Sequence, residues 1–210
     1  MMGSCSAPSA RSTLTAQPEA LTDELPLVRL LARLLGSILE SELRGVDLAR
    51  ALQDVREEAS RDPLTGLLNR RGWKERVEIE EHRARRYGSP ATVFIIDLDR
   101  LKETNDGQGH EAGDHLLVRA GQALRAAMRD TDAVARNGGD EFAVLCVESG
   151  ADGGQRIENK IRRALAEAGV EASVGWSARD PRQDIDSAIV KADRHMLEEK
   201  LAGRGDAGSN

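Results

Sequence analysis

Apolar positions recur in an alternating four-three rhythm from Leu27 to Ala59: Leu27, Leu31, Leu34, Ile38, Ser41, Gly45, Leu48, Leu52, Val55 and Ala59. That spacing predicts one helix with a heptad seam, weakest at Ser41 and Gly45. Leu30, Leu35, Leu39 and Leu43 widen the apolar face of its first half. Asp23 is placed to cap the helix, and Pro26 is tolerated in a first turn. Pro63 pushes Asp62 out of helical geometry and ends the segment near residue 61. Three readings of residues 23–61 stay open: a helix that pairs two copies, the last helix of a reduced sensory domain, or a solvated helix. Ahead of it, residues 1–22 are rich in Ser, Thr, Ala and Pro and are expected to be disordered, having too little apolar surface to offset ordering entropy.

Beyond Pro63 the periodicity alternates between helix and strand. Arg71 to Tyr87 reads as a strongly charged helix. Ala91 to Leu98 is a near-continuous apolar run, as expected of a buried central strand. Ala112 to Met128 is an amphipathic helix. Asp132 to Arg136 and Glu141 to Val147 read as strands flanking Asn137-Gly138-Gly139-Asp140, a strong hairpin signal. A helix over 154–168, a strand over 171–178 and a last helix over 185–202 complete the order. Such a sequence of elements predicts an α+β domain, a sheet with helices packed on one face, preceded by the N-terminal helix.

Composition narrows the function classes. A chain of 210 residues has room for one domain and an extension. Its formal net charge of -6 argues against a binder of nucleic-acid polymers, which needs a basic surface, but leaves room for a nucleotide enzyme. Cys5 and Cys146 form neither a disulfide framework nor a zinc pattern, so Cys146 reads as a small buried hydrophobe and the compartment as reducing. The start lacks an apolar signal core, and Arg29 and Arg33 break the Leu-rich stretch as a membrane span. A cytoplasmic location without membrane contact is expected.

Two polar clusters interrupt this plan. Asp97 ends a buried strand, where a carboxylate is costly unless paired or bound to metal. Asp140 and Glu141 sit on the hairpin, so three carboxylates converge at one edge if the two strands are neighbours. Oxygen-only ligands of that kind suit Mg²⁺ or Mn²⁺ and not zinc. Gly138 and Gly139 would let a ligand lie against the backbone of the turn. Taken alone, the Gly-Gly-Asp stretch is a good hairpin turn and nothing more.

The clusters belong to a longer series: Asp62-Pro63-Leu64-Thr65-Gly66-Leu67-Leu68-Asn69-Arg70-Arg71, then Asp97-x-Asp99-x-x-Lys102-x-x-Asn105-Asp106-x-x-Gly109-His110-x-x-Gly113-Asp114, then Arg136-x-Gly138-Gly139-Asp140-Glu141-Phe142, and near the end Ala192-Asp193, Lys200 and Gly203-Arg204. In order and spacing this series resembles the GGDEF family of diguanylate cyclases over about two-thirds of the chain, here residues 62–205, with 206–210 as a tail. The resemblance implies a palm-like fold related to nucleotidyl cyclases, and an enzyme that condenses two GTP into cyclic di-GMP and two pyrophosphates. Asp97, the Leu98 carbonyl, Asp140 and Glu141 are then the ligands of two Mg²⁺ or Mn²⁺ ions, with Asp140 or Glu141 also serving the attacking hydroxyl. Asn105 and Asp114 offer complementary edges to guanine and mismatch adenine. His110 falls at a substrate-contact position, although a structural His in a turn reads equally well. Lys102 is placed to stabilise phosphate charge. Lys200 and Arg204, four apart on one helix face, grip the terminal phosphates or simply close a basic helix end.

One GTP per domain cannot close a cyclic product, so the resemblance also implies a homodimer. Arg129 and Asp132, six residues before Gly138, match the family's inhibitory product site, with Arg83 as a cross-domain contributor; an exposed charged turn is the plainer alternative. The motif over 62–71 reads as structural. Leu101, Asn137, the tyrosine-free Met196-Leu197-Glu198-Glu199-Lys200 and Gly205 depart from the family pattern without removing a metal ligand. Rival functions are a GGDEF domain that only binds cyclic di-GMP or GTP, and a coiled-coil adaptor, which leaves the polar constellation unexplained.

Overall fold

A computed structural model describes residues 19–207, so the predicted disordered start falls outside the described residues up to position 18. The chain divides into two compact units, Met1–Gln53 and Asp54–Asn210. Helix α1 spans Glu19–Ala59, beginning ahead of Asp23 and carrying Pro26 inside it. Asp23 is therefore not its cap. Leu31, Leu34, Leu35, Ile38 and Leu39 are all exposed along it.

The second unit holds α2 (Arg70–Tyr87), β1 (Ala91–Leu98), α3 (Leu101–Gln108), α4 (His110–Ala127), β2 (Ala133–Gly138), β3 (Glu141–Val147), α5 (Ala151–Glu167), β4 (Ala172–Ala178) and α6 (Ile185–Ala207). Every predicted helix and strand is present, with ends shifted by a few residues. Helix α3 was not predicted; it is short and polar, and only Leu101 of it is buried. The last helix continues five residues past its predicted end, into the expected tail.

The four strands form one antiparallel sheet in the order β2-β3-β1-β4. Helices cover both of its faces, not one. Phe94, Ile96, Leu98, Phe142, Val144 and Val174 pack with Leu116, Leu124, Ile161 and Leu165 of α4 and α5. Val93, Ile95, Ala143 and Leu145 pack with Trp73 and Val77 of α2 and with Ile185, Ala188, Ala192 and Met196 of α6. The near-continuous apolar run of β1 already carried this signal, because a strand covered on one face alone would alternate.

Both sheet edges are closed, as exposed edges invite unwanted pairing. On the β2 side, the Leu68 N–H donates to the Val134 carbonyl at 3.2 Å, and the Leu68 carbonyl accepts from the Arg136 N–H at 2.8 Å. The motif over 62–71 is thus bonded into the fold. The Asp62 carboxylate accepts from the Thr65 N–H and hydroxyl and pairs with Arg136, while Asn69 caps α2 through the N–H groups of Arg71 and Gly72. The β4 side is closed by side chains of α5 and α6, described below.

Candidate active site

Strand β1 delivers Asp97 to the rim of the sheet. Asp97 lies directly opposite Glu141 on β3 and Ser173 on β4, so the three side chains share one face. The Leu98 N–H donates to the Asp140 carbonyl at 3.0 Å, which ties the hairpin tip to the end of β1. The tip turns through Gly138 (φ 150°) and Gly139 (φ 47°), both in the region that favours glycine. Arg136 braces it, its guanidinium donating twice to the Gly139 carbonyl at 3.0 and 2.8 Å.

From α6, the Lys200 ammonium pairs with Asp97 Oδ1; both side chains are mostly buried. Burial holds the Asp97 carboxyl above its ordinary range; the Lys200 hydrogen bond pulls it down, and the neighbouring Asp140 charge raises it again. The expected convergence of three carboxylates is met by the backbone alone. Among the described residues, no three His, Cys, Asp or Glu side chains gather into a metal-sized cluster.

Around this corner lies a cleft of about 610 Å³, lined by Leu98 to Glu103, Asp140, Glu171, Ser173 and Lys200. Its floor turns at Arg100, a non-glycine residue at φ 60° that leads into α3. That conformation costs about 1–2 kcal/mol, so the packing around it must hold it in place. Lys102 is exposed on the first turn of α3. Asn105 sits on the same helix, and its Oδ1 packs so close to Gly113 that any Cβ there would collide with it. Asp114 and His110 are exposed on the first turns of α4. Asn105 and the residue next to Asp114 are therefore in contact, while His110 makes no side-chain hydrogen bond among the described residues. Arg204 belongs to α6, but its side chain lies outside the described residues.

The Arg129–Asp132 pair lies elsewhere, on a second cleft of about 610 Å³ shared with Glu148, Arg156 and Lys160. Asp132 is buried at 8% exposure, which the plainer alternative of an exposed charged turn does not describe. Its carboxylate oxygens accept from the N–H groups of Arg129 (3.0 Å) and Val147 (3.3 Å), fixing the turn to β3. Arg129 remains exposed. Arg83 is held by Glu148 at 3.1 Å and lies 3.9 Å from Glu80. Cys146 borders this cleft, buried as predicted, with its thiol pushed up to about 12 chiefly by that burial.

Sequence reasoning missed Ser173, Glu171 and the side chain of Arg100 at the first cleft. Ser173 donates to Asp99 Oδ1 at 3.1 Å, and Arg100 faces Glu171 at 3.6 Å. Only the pairing of β1 with β4 reveals them, and that pairing joins strands 74 positions apart in the chain.

A four-stranded antiparallel sheet between helix layers, with a glycine hairpin beside a strand-end aspartate, defines the class. The chain belongs to the GGDEF family, described as "Diguanylate cyclase, GGDEF domain", which matches residues 59–206. Diguanylate cyclase DgcP of Pseudomonas aeruginosa is 34% identical over 162 residues, 73% of this chain and 24% of the relative. Diguanylate cyclase DgcS of Shewanella oneidensis is 29% identical over 196 residues, 91% of this chain and 65% of that one. The chain spans about a quarter to two-thirds of the length of the curated relatives it matches. Among solved structures, the diguanylate cyclase SiaD of Pseudomonas aeruginosa, in complex with its activator SiaC, superimposes with a TM-score of 0.73 at 28% identity, covering 88% of this chain and 75% of that one. The coiled coil and GGDEF domain of DgcB from Caulobacter crescentus, bound to c-di-GMP, gives 0.70 at 26% identity, covering 83% and 95%.

Proposed function

We propose that the protein is a diguanylate cyclase, joining two GTP into cyclic di-GMP with release of two pyrophosphates. The observation that carries this reading is the corner itself: Asp97 registered against Glu141, tied through Leu98 to Asp140, with a cation already on Asp97. The carboxylate and carbonyl oxygens of that corner suit Mg²⁺ or Mn²⁺, two per site in this reading, and the Lys200 ammonium stands on Oδ1 of Asp97 as a cation would. Asp97, the Leu98 carbonyl, Asp140 and Glu141 would hold the ions. When bound, divalent cations neutralise phosphate charge and make the ribose 3′-hydroxyl easier to deprotonate.

The chain's own groups do the remaining work. Asn105 and Asp114 present an amide and a carboxylate to the guanine edge and select against adenine. Gly138 and Gly139 let the nucleotide lie against the hairpin backbone. Lys102, and Lys200 with Arg204 once Lys200 leaves Asp97, bind the phosphates, and His110 borders the base. Asp140 or Glu141 takes the proton of the attacking hydroxyl.

The product joins two nucleotides head to tail, so two catalytic units must face each other, and α1 supplies the apolar surface that pairs them. Domain limits follow: a pairing helix over 23–61 and a catalytic domain over 62–205. Cyclic di-GMP binds back at the Arg129 cleft, with Asp132 and Arg83, and inhibits. The protein works in the cytoplasm; among the described residues no helix is long and apolar enough to cross a membrane.

The test is direct. Purified protein with GTP and Mg²⁺ is expected to give cyclic di-GMP on chromatography. GTP that is bound but returned unchanged would instead support the receptor reading.

A further inference from the structure

The outer edge of β4 carries a device that the reaction scheme does not use. Val174 lies opposite Ile96, a position where the ladder directs its N–H and carbonyl away from β1. Among the described residues no strand lies beyond β4, so both groups need other partners. The Val174 N–H donates to Glu199 Oε2 at 3.1 Å, and the Val174 carbonyl accepts from the Arg162 guanidinium at 3.2 Å. Glu199 and Arg162 meet each other in a two-pronged pair at 2.8 and 2.7 Å. Since Arg162 comes from α5 and Glu199 from α6, the pair closes around the strand edge from opposite faces of the sheet.

Each half is anchored again. Arg162 also bonds Glu158 at 2.7 Å, and Glu158 accepts from the Trp176 indole N–H at 2.9 Å. One turn before Glu199, His195 Nδ1 meets the Trp176 carbonyl at 2.9 Å, so α6 satisfies two successive outward positions of β4. Gly175 lets α6 come closer still: a Cβ there would collide with the backbone of Ala192 and Met196. The height of α6 against β4 is thereby fixed at Val174. The preceding strand residue, Ser173, is the one opposite Asp97, and the helix residue after Glu199, Lys200, is the one that reaches Asp97.

We infer that the Arg162–Glu199 clasp on the β4 edge is a positioning device for Lys200, setting where its ammonium stands relative to Asp97 and to the phosphates of a bound nucleotide. The inference rests on the reading of Lys200 as a phosphate ligand. A displacement of α6 by a fraction of a helical turn moves the ammonium out of hydrogen-bond reach, and misplacement of about 1 Å is costly at such sites.

The test separates positioning from general stability. Calorimetric titrations of GTP and of guanosine monophosphate, both with Mg²⁺, would compare the parent with Glu199→Ala, Lys200→Ala and the double variant. Glu199→Ala is expected to weaken GTP roughly tenfold while leaving the monophosphate within about twofold, because only the outer phosphates depend on Lys200. In the Lys200→Ala background the same change should cost nothing further. Should Glu199→Ala fold poorly, Glu199→Gln keeps the acceptor for Val174 and removes only the charge; a smaller loss confined to GTP is expected there. Amide exchange at Val174 gives a readout independent of nucleotide, with protection lost in Glu199→Ala. Equal weakening of both nucleotides, an additive loss in the double variant, or an unchanged Val174 amide would overturn the clasp. If Lys200→Ala itself leaves GTP affinity at the parental value, the phosphate role of Lys200 falls first and the clasp falls with it.

Discussion

Leu35 on α1 and Leu145 on β3 are the same residue in opposite surroundings: the first is 65% exposed, the second fully buried. The contrast extends to their units. The second unit buries most of its Leu, Ile and Val between two helix layers, leaving Ile79, Val190, Leu197 and Leu201 exposed, and closes both edges of its sheet. Helix α1 leaves Leu30, Leu31, Leu34, Leu35, Ile38, Leu39 and Leu43 open to water. Exposed apolar surface on that scale marks a site of association. One unit therefore holds what a fold needs and, in the proposed function, half of what the reaction needs; the other would then supply the pairing surface. Separating those requirements by mutation is the way to examine the contrast.

The largest effect is expected at the hairpin. Asp140→Ala removes a rim carboxylate and no core volume, so product formation should fall by about a hundredfold or more while the melting temperature stays near the parent's. Initial rates under saturating Mg²⁺ and a thermal melt check both halves. Retention of a tenth of the activity would remove Asp140 from the chemistry.

Next come the two leucines. Leu145→Ala is expected to destabilise the catalytic unit by about 2–5 kcal/mol, whereas Leu35→Ala should leave its unfolding midpoint unchanged. Urea titration followed at Trp73 and Trp176 reports on that unit alone, since both tryptophans lie in it. Comparable losses from both changes would erase the distinction between the units.

A smaller effect is expected at the second cleft. Arg129→Ala should weaken cyclic di-GMP by about 1–3 kcal/mol through loss of a bidentate contact, leaving the rate at low product intact. Titration with product beside inhibition curves decides it, and equal inhibition of variant and parent would leave Arg129 as surface charge.

The smallest concerns acid stability. Glu81 joins α2 to the end of β4 and the start of α6, accepting from Arg179, Arg85 and the Ile185 N–H. Chiefly because of Arg179, its carboxyl is held down to about 2, against an ordinary 4.5. A depressed carboxylate contributes stability above its unfolded value and loses it as pH falls toward the folded one. The parent should thus lose stability between about pH 4.5 and pH 2 more steeply than Glu81→Gln, as urea midpoints across that window would show. Parallel pH profiles would assign the acid transition to other groups.

Much of this was legible in the chain. The hairpin, the buried strand and the polar series from Asp97 to Glu141 are local signals, and local signals survive without a fold. What could not be read depends on sheet order. Ser173 became a neighbour of Asp97, and Glu199 a partner of Arg162, only through the placement of β4 beside β1 and of helices on both faces. Asp132 illustrates the other limit: its spacing from Arg129 suggested a ligand site, while its burial and two backbone bonds came from how the turn meets β3. The periodic apolar pattern of α6 fades after Ala202, yet the helix runs on to Ala207.

In the proposed function α1 brings together two catalytic units that are each incomplete. Measuring activity per mole of protein across a wide dilution series, for the parent and for a Leu31→Glu, Ile38→Glu variant, tests it most directly. The parent should keep a constant value to low concentration, while the variant's should fall steadily on dilution. A variant that matches the parent at every dilution would contradict the claim.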